Sequence, residues 1–147
     1  MSRLRRWSAA GVVVAFVAIL GVGCSSSTAA DSATTQGHAR WTSAAPDHYQ
    51  MTWYKNAMVG TTRIVVEVRG GQQVKINALR DDLKLMPIGD LSVEGVFAEL
   101  ERSQKHADHV TASFDAGLGY PTAVRVDVDN HAIDDEYEFG VEALQVL

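Results

Sequence analysis

The stretch that decides the fold is TRIVVEVRGGQQVKI, residues 62–76. Its bulky aliphatic side chains recur at every second position on both sides of two glycines: Ile64, Val66 and Val68 before them, Val74 and Ile76 after them. A period of two places such side chains on one face of an extended strand. Gly70 and Gly71 are typical of a tight turn between two strands. The stretch therefore predicts an antiparallel hairpin with one apolar face.

The same alternation recurs elsewhere in the chain, in four segments: Tyr49, Met51 and Trp53; Val110, Ala112 and Phe114; Val124, Val126 and Val128; and Tyr137, Phe139 and Val141. Each segment predicts a strand that is buried on one side only. Together with the hairpin, they predict an antiparallel β-sheet of about five to six strands.

A helical pattern lies between the two groups of strands. Ser92 is suited to cap a helix N-terminus, because its hydroxyl oxygen can accept a hydrogen bond from a free backbone N–H group. After it, apolar residues recur at helical spacing at Val93, Val96, Phe97 and Leu100. The order of strands, one helix and strands predicts an α+β fold in which one α-helix packs across one face of the sheet.

The N-terminus has the composition of an export signal. Three arginines, Arg3, Arg5 and Arg6, precede an apolar run from Ala9 to Val22. As a helix this run is about 21 Å long, short of the roughly 30 Å of a bilayer core. A basic start followed by a short apolar run is typical of a signal peptide. It predicts that the rest of the chain lies outside the cytoplasm.

Cys24 follows this run and is the only cysteine in the chain. The preceding residues, Leu20-Gly21-Val22-Gly23, resemble the lipobox of bacterial lipoproteins, with the leucine one place earlier than in the usual pattern. We expect cleavage before Cys24 and acylation of its thiol, including palmitate, with the protein held at the extracytoplasmic face of the cell membrane. An uncleaved signal anchor and ordinary secretion remain alternatives.

The composition divides the chain into three predicted parts. Residues 1–23 form the lipoprotein signal peptide. Residues 24–46 are rich in Ser, Thr and Ala, with little apolar bulk to offset the entropy of ordering, so we expect a flexible tether. Residues 47–147 form one small α+β domain.

Charge and cysteine content exclude some classes of function. The formal net charge is −5, and loss of the arginine-rich leader makes the chain still more acidic. An acidic surface argues against nucleic acid as a partner and against adhesion to anionic lipid headgroups. Acylation of Cys24 would leave no thiol for catalysis or for a disulfide. Contact with the membrane is therefore expected through the lipid anchor at Cys24.

Two motifs in the C-terminal third resemble a known family. They are FDAGLGYPT at residues 114–122 and DDEY at residues 134–137, and the helix start LSVEGVF at residues 91–97 agrees with them. The chain is similar to small bacterial envelope proteins catalogued as domain of unknown function 6174, over about residues 48–142. The resemblance implies the domain and its location in the envelope, and it supplies no catalytic residue.

An acidic hairpin is the strongest candidate site. If residues 130–133 form its loop, Arg125 faces Glu138, and four carboxylates face one another in two pairs: Asp127 with Glu136, and Asp129 with Asp134. Like charges directly opposite each other are unfavourable unless a cation neutralises them, and Ca²⁺ prefers several oxygen ligands. The four carboxylates therefore predict a metal site. The competing interpretation is a solvated polar face moderated by Arg125.

Other residues give weaker signals. His106, Asp108 and His109 are a small group of potential metal ligands at the end of the helix. Core packing is expected to bury most aromatic side chains, and Trp41 and Tyr54 are candidates for an exposed binding patch.

The sequence contains no nucleophile elbow and no separated pair of catalytic carboxylates, so we do not expect an enzyme. The hypothesis is a non-enzymatic binding or accessory module of the cell envelope, with an envelope protein as a possible partner. The alternative is a Ca²⁺-binding envelope protein that uses the acidic hairpin.

Overall fold

Six strands and two helices follow one another in the part of the chain that the structure describes, residues 26–78 and 89–147 of a computed structural model. They are α1 (Ser26–Ala44), β1 (His48–Ala57), β2 (Gly60–Arg69), β3 (Gln72–Ala78), α2 (Val93–His106), β4 (His109–Phe114), β5 (Pro121–Asp127) and β6 (Tyr137–Val146). The predicted signal peptide and Cys24 lie outside the described residues. Neither described helix is long and apolar enough to cross a bilayer.

The strands form one antiparallel sheet with the order β3-β2-β1-β6-β5-β4. Each half is a meander of three strands, and the halves join where β6 pairs with β1. The chain leaves the first half at one edge, β3, and enters the second half at the opposite edge, β4. With 14 residues, α2 is about 21 Å long, close to the width of six strands spaced about 4.8 Å apart. The predicted α+β class is confirmed.

The hairpin predicted at residues 62–76 is confirmed, but its apolar face is buried only in β2. Val74 and Ile76 of β3 are exposed, and the β2–β3 pairing shifts register between Glu67 and Val68. Its turn places Gly70 at a φ of 56° and Gly71 at a φ of 75°. Residues other than glycine rarely adopt positive φ angles, and a turn with two of them in succession matches the twist of the paired strands.

The hydrophobic core lies on one face of the sheet. The aliphatic and aromatic rows predicted from the alternation meet there, with buried side chains at Tyr49, Met51, Ile64, Val66, Val68, Val124, Val126, Phe139 and Val141. The apolar stripe of α2 covers this face and is also buried. Ser92 caps α2 as predicted, because its Oγ accepts a hydrogen bond of 3.3 Å from the backbone N–H of Gly95.

The structure differs from the expected flexible tether at residues 26–44, which form α1. The decisive side chain is Trp41, which is only 2% exposed. Its ring meets those of Tyr49 and Tyr120 edge to face, at centroid distances of 5.5 and 6.2 Å. Burial of one tryptophan removes roughly 150–250 Å² from water, and this contributes about 4–6 kcal/mol toward the cost of ordering a helix with few other apolar groups. The folded domain therefore begins upstream of residue 47.

Two glycines let α1 approach the β4–β5 turn. A Cβ on Gly37 would lie 2.6 Å from Phe114 Cδ1 and 3.0 Å from the carbonyl oxygen of Gly119. Gly119 itself has a φ of 83°, and a Cβ there would lie 2.5 Å from the carbonyl oxygen of Gly37. Backbone therefore packs against backbone at this point, and neither position has room for a larger side chain.

Side chains join α1 to α2 in an antiparallel arrangement. Near the C-terminal end of α2, Gln104 Nε2 donates to Thr34 Oγ1 at 3.0 Å. Near its N-terminal end, Glu94 Oε2 lies 2.9 Å from His38 Nε2. The His38 ring also stacks on Phe97 with a centroid distance of 4.4 Å. The earlier residue of α1, Thr34, contacts the later part of α2, and the later residue, His38, contacts the earlier part. The two helices therefore run in opposite directions.

Replacement of Gly37 by alanine tests whether α1 is docked. In an exposed helix this change stabilises by about 1 kcal/mol, because alanine has the higher helix propensity. Here the added methyl overlaps Phe114, so we expect a destabilisation of about 1–3 kcal/mol in urea unfolding. The control is Gln36→Ala at the exposed neighbouring position, with little change expected. A more stable Gly37→Ala variant would show that α1 is not packed on the turn.

Candidate functional site

The central register of the acidic hairpin is confirmed. Arg125 pairs with Glu138 and Val126 with Tyr137. The ladder between β5 and β6 ends there, whereas the ladder on the other side of β5, with β4, continues one residue further to Asp127 and His109. The two expected carboxylate pairs are therefore not cross-strand neighbours, because the chain leaves the β5–β6 ladder one residue too early.

The carboxylates beyond the ladder bond to the loop backbone. Asp129 Oδ1 accepts a hydrogen bond of 2.9 Å from the N–H of His131. Asp135 Oδ2 accepts one of 2.8 Å from the N–H of Asp129, and Asp108 Oδ2 accepts one of 3.2 Å from the N–H of Asn130. Short polar side chains commonly close turns in this way. These acids therefore shape the loop.

The structure does not bring the four predicted metal ligands together. Within the described residues, the potential ligands that converge are Asp108, Asp129 and His131, with ligand atoms within 4.8 Å of one another. All three side chains are exposed, and only Asp129 belongs to the predicted set of Asp127, Asp129, Asp134 and Glu136. Binding of Ca²⁺ by the predicted set stays a prediction, and this geometry supplies no convergent group of four for it.

A cleft of about 370 Å³ lies beside α2, on the helix-covered side of the sheet. Its floor is apolar and comes from three strands: Trp53 of β1, Ile64 of β2 and Phe139 of β6. Charged side chains also line it, namely Lys55, Asp90, Glu99 and Arg102. A register shift between Thr52 and Trp53 in the β1–β6 pairing occurs at the floor. The cleft thus combines an apolar base with charges of both signs.

Close packing at the start of α2 builds one wall of this cleft. Gly95 has no space for a Cβ, which would overlap the carbonyl oxygen of Asp90. The segment before the helix therefore lies directly against its first turn. Further along α2, Glu99 and Arg102 form an ion pair one turn apart. Lys55 Nζ lies 4.2 Å from the centroid of the Tyr137 ring, a cation–π distance.

The cleft was not predicted from the sequence. Its lining comes from β1, β2, β6, α2 and the segment before α2, and no local motif links these segments. Gly95 was the one usable signal, because a glycine in the first turn of a helix costs stability and suggests a close approach.

The open face of the sheet carries a polar network around Glu138. Arg125 Nε donates to Glu138 Oε2 at 2.6 Å, and the Tyr54 hydroxyl lies 3.0 Å from Glu138 Oε1. The same hydroxyl lies 3.2 Å from the carbonyl oxygen of Thr122, so one proton serves two acceptors. Burial first, and then Glu138, raises the pKa of Tyr54 to about 12. The hydrogen bond from Arg125 is the main reason that the pKa of Glu138 is lowered.

Neither candidate for an exposed aromatic patch is exposed. Trp41 packs in the core, and Tyr54 is only 8% exposed, with its hydroxyl in the polar network. That expectation was wrong, because both rings pack against groups that are distant in sequence.

The motif at residues 114–122 has a structural role in this chain. Asp115 Oδ1 accepts hydrogen bonds from the N–H groups of Gly117 and Leu118, at 3.0 and 2.6 Å. The N–H of Asp115 donates to the carbonyl oxygen of Tyr120 at 2.9 Å, which closes the turn. The turn then presents Gly119 to α1. The motif therefore forms the surface on which the N-terminal helix docks.

A comparison with protein families covers most of this docked helix. The family model described as "Family of unknown function (DUF6174)" matches residues 33–146. The chain belongs to this family. The match includes Gly37 and Trp41, so the family domain contains the docked part of α1 as well as the sheet and α2. None of the curated proteins matches the chain.

The network at Glu138 makes stability depend on pH in acid. Because the pKa of Glu138 is lowered from its ordinary 4.5, the folded state holds fewer protons than the unfolded state over that range. The stabilisation is present above the ordinary pKa and is lost as the pH falls through the lowered one. We expect Glu138→Gln to be about 1 kcal/mol less stable than the natural chain at neutral pH and to lose less stability on acidification.

Urea unfolding measured from neutral pH down to about pH 3 checks this expectation. Glu101→Gln, at an exposed position on α2, is the control and should keep the natural pH profile. Equal acid sensitivity of Glu138→Gln and the natural chain would contradict a role for this network.

Proposed function

We propose that this protein is a lipid-anchored, extracytoplasmic and non-enzymatic binding module of the cell envelope, with the cleft beside α2 as its ligand site. The cleft is the observation that carries the proposal. Its volume of about 370 Å³ lies in the range of small-molecule sites, roughly 300–1,000 Å³. An apolar floor with a few charged groups is the usual composition of such sites.

The chemistry of the lining supports a small amphiphilic ligand. Trp53, Ile64 and Phe139 provide an apolar surface for its body. Lys55 provides a cationic group for an anionic end, while Arg102 is already paired with Glu99. The described lining contains no hydroxyl, thiol or imidazole side chain. A hydroxyl, thiol or imidazole nucleophile is therefore absent from the described lining, and we assign its charged groups, Lys55, Asp90, Glu99 and Arg102, to ligand binding.

The leader supports the proposed location. A basic start, a short apolar run and a cysteine with a lipobox-like approach are the features of lipoprotein export. The first described helix begins at Ser26, two residues after Cys24, and its Trp41 is buried in the core. The proposed anchor is therefore joined to the domain by a docked helix, which supports display of the cleft close to the membrane.

Substitution of Cys24 tests the anchor. In cells fed labelled palmitate, we expect the natural protein and a Ser25→Ala control to carry the label and to sediment with membranes. Cys24→Ala should carry no label, because no other thiol is present in the chain. Labelling that persists in Cys24→Ala, or its absence from the natural protein, would contradict lipid anchoring at this residue.

Filling the cleft tests the binding site. Ala98 lines the cleft from α2 and is exposed, so Ala98→Trp occupies the space without disturbing the core. The control is Ala143→Trp, on the open face of the sheet. Mass spectrometry of full-length protein purified from envelopes should detect a small amphiphile with the natural chain and the control, and much less of it with Ala98→Trp.

Crosslinking in intact cells followed by pull-down detects protein partners of the natural chain, of Ala98→Trp and of the Ala143→Trp control. A partner that contacts the cleft should be lost in Ala98→Trp alone. If the natural protein retains neither a small molecule nor a crosslinked partner, or if Ala98→Trp retains them equally, the cleft is not the binding site.

A further inference from the structure

Four exposed aliphatic side chains lie in two loops of the domain. Met58 and Val59, in the β1–β2 turn, are 71% and 95% exposed. Val128 and Ile133, in the β5–β6 loop, are 42% and 88% exposed. We call these four residues the apolar tip. Large apolar side chains with this exposure contribute nothing to the core, and clusters of them commonly mark contact surfaces.

Strand pairing places both loops at the same end of the sheet. Ala57, the last residue of β1, pairs with Tyr137, the first residue of β6. Tyr137 also pairs with Val126, at the end of β5. The turn after β1 and the loop between β5 and β6 therefore leave the sheet side by side. The opposite end carries the β4–β5 turn, where α1 docks.

The N-terminus of α1 points toward the apolar tip. At its C-terminal end α2 reaches the tip end of the sheet, because Ser103 Oγ lies 3.3 Å from the Tyr137 hydroxyl. At its N-terminal end α2 reaches the opposite end, where the N–H of Val93 donates to the Tyr49 hydroxyl at 3.3 Å. Since α1 runs antiparallel to α2, it starts at the tip end and finishes at the opposite end.

The chain upstream of α1 therefore leaves the domain at this end. Thr34 is level with Gln104, near the end of α2, and the helix continues from there back to Ser26, about 12 Å further. Cys24 and the apolar run from Ala9 to Val22 come next. An acylated Cys24 and an uncleaved apolar anchor would both place a bilayer beyond the start of α1. The apolar tip faces the same direction.

We propose that the apolar tip inserts into the interface of the bilayer that holds the anchor, so that the strands stand on end above the membrane. This inference rests on the proposed lipid anchoring. Apolar loop side chains fit the boundary between headgroups and acyl chains, where amphipathic segments bury their apolar side by roughly 5–10 Å. Together with the anchor, the tip supplies a second attachment that fixes the orientation of the domain.

Charge determines which lipids suit this contact. The β5–β6 loop also carries exposed carboxylates, among them Asp129 and Asp134. An anionic surface repels such groups, and the repulsion decreases with salt. The tip is therefore matched to an electrically neutral lipid surface, and anionic lipid should weaken its insertion.

Site-specific labelling of the full-length acylated protein tests the orientation. Because Cys24 is the only cysteine and is acylated in this proposal, Val59→Cys or Ile133→Cys provides a single thiol for an environment-sensitive fluorophore. Ala116→Cys, exposed in the β4–β5 turn at the opposite end, is the matched control. Each protein is reconstituted in phosphatidylcholine vesicles, with nitroxide-bearing lipid added as the quencher, and its attachment is checked by flotation.

We expect fluorophores at positions 59 and 133 to shift to shorter wavelength and to be quenched, while the one at position 116 changes little. Partial replacement by phosphatidylglycerol should reduce the quenching, and salt should restore it. Unchanged emission at 59 and 133 in protein that floats with the vesicles would overturn the inference and leave the anchor intact. Failure to float would overturn both. Crosslinking of position 59 to a protein rather than to lipid in native membranes would assign the tip to a protein partner instead.

Discussion

The contact between Gly37 of α1 and Gly119 of the β4–β5 turn is the constraint on which the rest of the arrangement depends. Backbone meets backbone there, which is possible only because neither residue has a side chain. The contact brings Trp41 into the core and sets α1 antiparallel to α2. A helix with little apolar surface of its own is thereby held at a defined position. The turn at residues 114–122 supplies the surface for this docking.

The second glycine contact, at Gly95, has a similar effect on the cleft. It draws the segment around Asp90 against α2 and completes a pocket whose floor belongs to three strands. Both the docking of α1 and the cleft therefore depend on places where a Cβ is excluded. The polar network at Glu138 lies on the opposite, open face of the sheet, where it ties β1, β5 and β6 together without contributing to the cleft.

The pairing in the acidic hairpin follows from the local sequence only in its central part. Alternation correctly predicted the pairing of Arg125 with Glu138 and of Val126 with Tyr137. Extending the register by one step failed, because the β5–β6 ladder ends at Val126 and Tyr137, one residue before the β5–β4 ladder ends at Asp127. The side chain of Asp129 then meets those of Asp108 and His131, which come from a different connection and from the loop itself. The alternation of residues can predict which residues pair across two strands. The point at which the pairing ends depends on the tertiary structure.

The sequence by itself determined the strand faces, the Gly70-Gly71 turn, the Ser92 cap and the α+β class, because each depends on residues within a few positions of one another. Only the tertiary structure decided that residues 26–44 are a docked helix, that the cleft exists, and that the apolar loops and the start of α1 share one end. These features depend on contacts between residues far apart in the chain, such as Gly37 with Gly119 and Trp41 with Tyr120. The composition around residue 37 resembles that of a tether, because this segment has few apolar side chains of its own. The surface that stabilises it as a helix is supplied by residues some eighty positions later.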